Sequence, residues 1–486
     1  MFMREYEACI GMECHAELLT ESKMFCGCKN EFGGEPNTRC CPVCAGMPGS
    51  LPVANRQAVE HVIRAALALN CEINPKAKFD RKNYFYPDLP KGYQISEYDE
   101  PIGRNGYLDI EVNGEIKRVR IRRVHLEEDT GKLFHMAGNE SYIDLNRSGV
   151  PLMEIVTDFP PDIHTPEEAR AYLVKLRAIL TYIGVCDGKM EQGSLRCEPN
   201  VSVRVKGTEE YGTKTEIKNL NSFRSVQKGI EYEIARQIAL LERGERVVQE
   251  TRGWNEARQA TFPQRSKEVE QEYRYFPEPD LVPLQITPEW IEAIKATMPE
   301  LPDAKKARFM SEYGLSDYDA SYLTETRALA DYFEETAKHA GDAKAAANWI
   351  MGDLSRLLNA EGKEIDACPI TPRQLGSMIR MIADGTISGK IAKMLIEHMY
   401  QSGEDPDKIA AREGLVTLRD ESAIRQMVQQ VFAENPKIVA DILEKGLVQK
   451  KGFLVGQVMK LSQGKADPTK VNRLIDEMLA EEQKVR

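Results

Sequence analysis

A segment near the start of the chain carries the alternation on which the fold of the first half depends. It reads Cys9-Ile10-Gly11-Met12-Glu13-Cys14-His15-Ala16-Glu17-Leu18. Successive side chains of a β-strand point to opposite faces of the sheet. As a strand, this segment places Glu13, His15 and Glu17 on one face and the intervening apolar side chains on the other. We therefore predict a sheet with one face packed on a core and one polar face.

The polar face of this strand is a candidate metal site, because two carboxylates and an imidazole are ligands for divalent cations. Two further acidic groups follow, at residues 127–129 and at Glu154 inside the apolar run 150–156. A carboxylate in an apolar strand is costly unless it is paired or metal-bound. A solvated strand face for Glu13 and His15, and a buried salt bridge from Glu154 to an arginine, are the alternatives.

Local signals divide the chain into a mixed first half and a helical second half. Thr165 and Pro166 predict the start of a helix that ends before Gly184, with strand-like segments on either side. The first half is therefore predicted to be α+β. Prolines crowd residues 277–302, where we place a domain boundary, and almost every later segment is helix-like. The predicted domains are residues 1–292, 293–407 and 408–486.

Composition narrows the class of protein. The 486 residues carry a formal charge of −11 and 42% hydrophobic residues, which is typical of a globular protein. A basic-then-apolar leader and an apolar run long enough for a membrane span are both missing from the sequence, so we expect a cytoplasmic protein that does not enter membranes.

The sequence also lacks a P-loop motif, a dinucleotide-binding glycine motif and a Gly-x-Ser-x-Gly elbow. An ATP site would therefore have to use magnesium and scattered basic residues.

Two cysteine pairs, Cys26-Gly27-Cys28 and Cys41-Pro42-Val43-Cys44, are separated by twelve residues. Each pair can supply one edge of a tetrahedron, so the four thiolates predict a structural zinc site without an open position for catalysis. Cys40 adjoins the second pair and is a competing ligand. Buried free cysteines and a redox pair are the alternatives.

Aromatic and basic side chains interleave in residues 79–93, which include Lys82 and Lys91. Such a mixture suits contacts to phosphates or bases. Similar mixtures recur around Glu216 and Lys218 and around Arg274. For residues 79–93 a packed tyrosine-rich loop is the alternative.

The C-terminal region has the opposite charge to the chain as a whole. Six lysines, one arginine and one acid lie between Lys445 and Arg473. A local basic face on an acidic protein is what binding to an RNA backbone requires, whereas a solvated helix surface is the alternative. The predicted RNA contacts are Lys450, Lys451, Lys460, Lys465 and Lys470.

Along nearly its whole length the chain resembles the GatB/GatE family, the B subunits of aspartyl/glutamyl-tRNA(Asn/Gln) amidotransferases, with a YqeY-like C-terminal tail. The matching stretches are residues 10–15, 79–96, 125–132, 146–152, 191–197, 216–223, 273–280 and 453–460. Two small departures are Cys14, where the family usually has valine, and Cys40, where threonine is common.

The resemblance implies a cradle domain similar in fold to glutamine synthetase, with a zinc-binding insertion at residues 26–44, followed by a helical domain and a small helical tail. It implies an ATP- and magnesium-dependent ligase that phosphorylates the side-chain carboxylate of Glu-tRNA(Gln), Asp-tRNA(Asn) or both. Ammonia from glutamine then displaces the phosphate. The glutamine is hydrolysed by a partner amidase, and a third, small subunit makes the complex a heterotrimer. Phosphorylation supplies the leaving group that a carboxylate lacks, and a closed channel keeps the acyl phosphate from water.

The resemblance also implies roles for individual residues. It assigns magnesium to Glu13, His15, Glu128 and Glu154. It assigns structural zinc to Cys26, Cys28, Cys41 and Cys44. Lys82 and Lys91 match family positions near the channel and the active site. Within the matched stretches, the predicted nucleotide contacts are Arg196, Glu216, Lys218 and Arg274.

Two other functions compete with this one. A tRNA-binding scaffold would need no carboxylate such as Glu154 in an apolar strand, which argues against it. A stand-alone ATP-dependent amide ligase using free ammonia would not need a glutaminase motif, so the missing motifs do not exclude it. ATP hydrolysis that depends on Glu-tRNA, measured with and without an amidase partner, separates the three.

Overall fold

The computed structural model describes residues 5–136, 140–266, 273–415, 421–445, 447–462 and 465–485. The chain divides into two compact units, Met1–Pro302 and Asp303–Arg486. The first unit contains a large mixed sheet with helices and the second is helical, which confirms the predicted α+β class. The two domain boundaries expected from the sequence, and the likeness of the first domain to glutamine synthetase, stay predictions.

The first unit contains all the strands in the described residues. They are β1 (Tyr6–Glu17), β2 (Glu72–Ile73), β3 (Lys76–Ala77), β4 (Asp80–Asn83), β5 (Tyr93–Ser96), β6 (Gly103–Val112), β7 (Glu115–Glu128), β8 (Lys132–His135), β9 (Ser141–Asp144), β10 (Pro151–Thr157), β11 (Leu195–Val205), β12 (Thr215–Lys218), β13 (Glu250–Asn255), β14 (Ala260–Ser266), β15 (Phe276–Pro277) and β16 (Leu284–Gln285).

The main sheet runs in the order β14-β13-β12-β11-β1-β10-β7-β5-β4-β15, and β6 pairs with both β7 and β2. β12 and β13 pair in parallel, whereas the other pairs between described strands of this sheet are antiparallel. The N-terminal strand β1 lies near the middle, between β10 and β11. Residues far apart in sequence are therefore neighbours on the sheet.

Helices cover one face of this sheet. The helices that begin in the first unit, together with the one that crosses its boundary, are α1 (Arg56–Ala68), α2 (Pro166–Tyr182), α3 (Phe223–Glu242), α4 (Pro288–Lys295) and α5 (Pro302–Tyr313). α2 begins as predicted: Thr165 caps it and forms a capping box with Glu168, and Gly184 follows its end with a φ of +71°. Its buried side chains join those of α1 and of β1 in one core.

The second unit is built from short helices. The remaining ones are α6 (Asp317–Leu323), α7 (Arg327–Ala340), α8 (Ala343–Trp349), α9 (Ser355–Ala360), α10 (Pro372–Ala383), α11 (Gly389–Ser402), α12 (Pro406–Arg412), α13 (Glu421–Glu434), α14 (Pro436–Lys445), α15 (Lys451–Leu461) and α16 (Pro468–Val485). Buried residues of α13 to α16 form a hydrophobic cluster of their own. Among the described helices, none combines the length and apolar character needed to cross a bilayer.

Candidate active site and cysteine cluster

The polar face begins on β1, whose side chains alternate as the sequence predicts. Met12, Cys14 and Ala16 are buried, whereas Glu13 and His15 are only partly buried. β10 and β11, on either side of β1, each present one face in the same direction. Register then decides which side chains meet across the strands.

One row of this face crosses four strands. Glu154 on β10 lies opposite His125 on β7 and opposite His15 on β1, and His15 in turn lies opposite Arg196 on β11. The Nε2 atom of His125 lies 2.9 Å from Glu154, and the Nε2 atom of His15 lies 3.3 Å from it. Glu127, two residues after His125, is 3.7 Å from both imidazoles. Two histidines and two carboxylates thus form one cluster.

The charges in this cluster stabilise each other against burial. Burial disfavours a charged imidazole, but the hydrogen bond and charge of Glu154 raise the pKa of His15 to about 9. The pKa of His125 is raised by Glu154 and Glu127 despite the same burial. Burial opposes ionisation of Glu154 as well, yet the two imidazoles hold its pKa well below the usual range. Without a metal, the cluster is therefore a network of ion pairs.

A second group consists only of carboxylates. The ligand oxygens of Glu13, Glu198 and Glu216, on the adjacent strands β1, β11 and β12, lie within 4.8 Å of one another. Asn200 donates to Glu13 at 2.8 Å, and Lys218 donates to Glu198 at 2.6 Å. Magnesium prefers oxygen ligands, so this group fits it better than the histidine-containing cluster does.

Several buried donors on the same face have no partner within the described part of the chain. They are Nε of Arg123, Nδ1 of His125 and Nε of Arg196. A buried polar atom left unsatisfied costs on the order of 1–3 kcal/mol. The guanidinium groups suit an anionic ligand that would satisfy them, and their placement beside the carboxylates suits phosphates accompanied by a cation.

Glu128 lies elsewhere, although the sequence grouped it with Glu13, His15 and Glu154. Its side chain pairs with Lys91 and accepts from the backbone N–H of Ile95 at 3.0 Å. It belongs to neither ligand group in the described residues; Glu127, one position earlier, lies in the imidazole cluster. The physical reason is the alternation of the strand: neighbouring residues on β7 point to opposite faces. Sequence reasoning thus missed His125, which the same alternation along β7 would have found, and it named residues 127–129 without distinguishing Glu127 from Glu128.

Tyrosines flank the face beyond β5. Tyr98 and Tyr275 stack with their ring centroids 4.0 Å apart. The ammonium of Lys82 lies 4.9 Å from the ring of Tyr273. Burial opposes the charge on Lys82, but nearby Tyr275 and Glu127 raise its pKa. The segment around Lys82 is therefore a packed aromatic cluster that also holds a cation beside the carboxylates. Contact of this segment with phosphates or bases stays a prediction.

Three of the four predicted nucleotide contacts lie on or beside the polar face. Arg196 donates to Asp129 at 2.5 Å, and Lys218 lies between Glu198 and Glu216. Glu216 itself accepts from a threonine hydroxyl at 2.8 Å. The side chain of Arg274 is exposed, and its backbone has a φ of +47°.

The cysteine pairs come together as the spacing predicts. The sulfur atoms of Cys26, Cys28, Cys41 and Cys44 lie within 4.8 Å of one another. A hydrogen bond with Cys26 lowers the pKa of Cys44 to about 4, while the same hydrogen bond raises the pKa of Cys26 and burial raises the pKa of Cys28. The grouping of the four sulfur atoms, rather than their acidity, is therefore what suits a tetrahedral metal ion. Cys40 is outside the group in the described residues, and its thiol lies 3.3 Å from the carbonyl of Asn37.

The predicted RNA contacts differ in how they are paired. Lys450 donates to Asp441 and Lys451 to Asp476, each at 2.6 Å. Both acids lie just outside the lysine-rich window, so the sequence count overstated the local positive charge. Lys460 is exposed, and Lys465 and Lys470 are partly buried.

Comparison with known proteins gives matches across both units. The family "GatB/GatE catalytic domain" matches residues 8–292, and the family "GatB domain" matches residues 331–479. A protein of Carboxydothermus hydrogenoformans is 58% identical over 483 residues, covering 98% of this chain and 100% of the relative. One of Brevibacillus brevis is 56% identical over 478 residues, covering 98% of this chain and 99% of the relative. Both are aspartyl/glutamyl-tRNA(Asn/Gln) amidotransferase B subunits.

Proposed function

The chain belongs to the GatB/GatE family of tRNA-dependent amidotransferase B subunits, and from that premise we propose a role for its polar sheet face. The family is one of glutamine-dependent ligases that use ATP. We propose that this face binds ATP with magnesium and phosphorylates the side-chain carboxylate of Glu-tRNA(Gln), Asp-tRNA(Asn) or both. Ammonia then displaces the phosphate to give the amide.

One observation carries this proposal. Glu13, Glu198 and Glu216 gather three carboxylates from three adjacent strands within ligand distance of one another. Such a concentration of negative charge is costly unless cations compensate it. Magnesium held there would neutralise phosphate charge during phosphoryl transfer. The imidazole cluster of His15, His125, Glu127 and Glu154 lies beside this group and would hold a second cation or orient the substrate.

Basic side chains around the carboxylates are placed to bind anions. Arg123 and Arg196 have buried donors without partners in the described residues, which suits contacts to phosphate oxygens. Lys82 and Lys218 add two further cations next to the carboxylates. We propose that these four residues orient the phosphates of ATP, and that the exposed Arg274 contacts the nucleotide or the acceptor end of the tRNA.

The remaining parts of the assembly follow from the same family membership. A B subunit implies further protein partners and a tRNA, and we propose that the protein partners are an amidase and a third, small subunit. We propose that the cysteine cluster holds one structural zinc ion. We propose that the C-terminal lysines contact the tRNA body, because the acceptor end alone distinguishes tRNAs poorly. The cytoplasmic location expected from the sequence stays a prediction.

The test is ATP hydrolysis by the reconstituted heterotrimer in the presence of mischarged tRNA. Glu198→Gln keeps the side-chain shape but removes a carboxylate from the oxygen group. We expect tRNA-dependent ATP hydrolysis to fall about 100-fold, comparable with removing one electrostatic contact in a preorganised site. Glutamine hydrolysis by the partner should persist at its basal rate.

The matched control is Glu7→Gln, the same type of substitution at a glutamate of β1. Glu7 pairs with Arg204 and lies outside both ligand groups. Equal activities of the two variants would overturn the assignment of this face. A complex without ATP hydrolysis on either mischarged tRNA would indicate a scaffold. Full amidation by the isolated chain with free ammonia would indicate a stand-alone ligase.

A further inference from the structure

Lys23 is a fully buried lysine next to the cysteine cluster. None of its surface is exposed. Its ammonium lies 3.6 Å from the Cys44 sulfur and donates to the carbonyl oxygen of Leu145 at 3.1 Å. In the described part of the chain, Lys23 forms no ion pair with a carboxylate.

A buried ammonium is unstable by several kcal/mol unless a negative charge lies nearby, so the charge carried by its sulfur neighbour Cys44 decides whether this position is tolerated. A divalent ion with four thiolates carries a net charge of about −2, because four negative ligands exceed the charge of one metal ion. That excess is costly at Cys44, the buried member of the four and the one that Lys23 contacts. The cation and the cluster therefore each supply the charge that the other lacks.

We infer that Lys23 is the charge-compensating residue of the cysteine cluster and sets its affinity for zinc. The inference rests on the proposed zinc site. Lys23 acts through Cys44 and is not a metal ligand, since ammonium groups have no free lone pair. Groups that contact metal ligands in this way commonly change metal affinity 10- to 100-fold when they are removed.

The position of Lys23 also ties the cluster to the segment that leads into β10. Its second acceptor, Leu145, lies in this segment, and the Ser148 hydroxyl donates to the carbonyl of Cys44 at 2.8 Å. The backbone of Gly149 accepts from Met24 at 2.7 Å. Gly149 has a φ of +80°, and an added Cβ there would lie 3.4 Å from the Cβ of Cys44. The cluster and the start of β10 are therefore held against each other on both sides of Lys23.

The experiment measures zinc affinity of the full chain by competition with a chromophoric chelator. Lys23→Met keeps the length of the side chain and removes its charge, and we expect zinc affinity to fall 10- to 100-fold. Lys23→Arg keeps the charge and should recover at least part of that loss. Cobalt substitution provides a second readout, because sulfur-to-cobalt absorbance reports how many thiolates bind the metal.

Lys305→Met is the matched control, since Lys305 is also buried but pairs with Asp331 at 2.7 Å in the second unit. We expect that control to lower thermal stability and leave zinc affinity unchanged. Should Lys23→Met fail to fold, Lys23→Gln replaces it, because the amide still donates to Leu145 without a charge. Wild-type zinc affinity in the uncharged variants would overturn the inference. A wild-type chain that binds no zinc would instead overturn the metal site itself.

Discussion

The cysteine cluster and the polar sheet face are both groups of candidate metal ligands, but they are assembled in different ways. The cluster takes its ligands from residues 26–44, within one short segment. The face takes its ligands from β1, β7, β10, β11 and β12, which span residues 6–218. Local spacing therefore determines the first site, whereas strand register determines the second.

The two regions also balance charge differently. The thiolates have one buried cation, Lys23, within contact in the described residues. On the face, several cationic groups lie beside the carboxylates and pair with them. Losing a metal would thus leave the cluster without the ion that joins its four sulfur atoms, while the face would keep its ion pairs. The difference predicts that the cluster controls stability and the face controls activity.

The largest expected effect is a loss of activity caused by a substitution on the polar face. Glu154→Gln removes the carboxylate that joins both imidazoles, so we expect activation of mischarged tRNA to fall about 1,000-fold. Single-turnover ATP consumption by the assembled complex measures it. Glutamine hydrolysis by the partner should continue. Normal activation in this variant would show that the face is not the reaction site.

The next effect concerns the cluster. Cys41→Ser should abolish stoichiometric zinc binding and lower the free energy of unfolding by about 3 kcal/mol, as loss of a metal or buried ligand does. Metal analysis and thermal unfolding measure the two changes. Cys40→Ser is the matched control, because Cys40 adjoins Cys41 and lies outside the group of four. If both serine variants had the same zinc content and the same stability, Cys41 would not be a zinc ligand that Cys40 is not.

A buried acid that contacts the backbone of β7 offers a contrast with Lys23. Glu97 accepts from the backbone N–H groups of Ile102 and Leu126, and its other oxygen is buried without a hydrogen-bond partner among the described residues. Burial raises its pKa to about 8. Between its ordinary value near 4.5 and 8, the folded chain holds a proton that the unfolded chain releases, so stability falls as pH rises through that window.

The measurement is the free energy of unfolding at pH 6 and pH 8. We expect Glu97 to contribute a loss of about 2 kcal/mol across that interval. Glu97→Gln stays neutral at both values and should therefore show a smaller difference between them. An unchanged difference would mean that Glu97 ionises normally in the folded chain.

A smaller effect tests which of two neighbouring side chains on β7 belongs to the ligand group. Glu127→Gln should raise the magnesium concentration needed for half-maximal activation about tenfold, because Glu127 lies in a ligand group. Glu128→Gln should leave that concentration unchanged and act through its partner Lys91. A magnesium titration of both variants measures the effect. The reverse result would favour Glu128 as the magnesium ligand, as the family resemblance implies.

The smallest effect concerns the C-terminal lysines, where pairing again decides the outcome. Lys460→Ala should weaken tRNA binding a few-fold and reduce the salt dependence by about one phosphate contact. Lys451→Ala should do less, because Lys451 already pairs with Asp476. Titration of tRNA at two salt concentrations measures both. If the salt dependence of tRNA affinity were the same in the wild type and both variants, these lysines would be solvent-exposed residues without a role in tRNA binding.

The sequence predicted those features that depend on neighbours along the chain. The four cysteines, the alternation of β1 and the capped start of α2 each follow from spacing of a few residues. It could not predict which strand lies beside which, and therefore missed Glu198, whose strand β11 becomes a neighbour of β1 only in the folded chain. The partners of Lys23, Lys450 and Lys451 could not be predicted for the same reason, because each contact forms only when the chain folds.

The central place of β1 affects how the protein is made. Its partners β10 and β11 lie at residues 151–157 and 195–205, so they leave the ribosome long after β1 does. Until then, the strand that carries Ile10 and Met12 has neither neighbour and cannot bury its apolar side chains. Contacts of such long sequence separation form slowly and leave aggregation-prone strands exposed. We therefore expect nascent chains shorter than about 200 residues to need a chaperone, and the sheet to assemble in a late step.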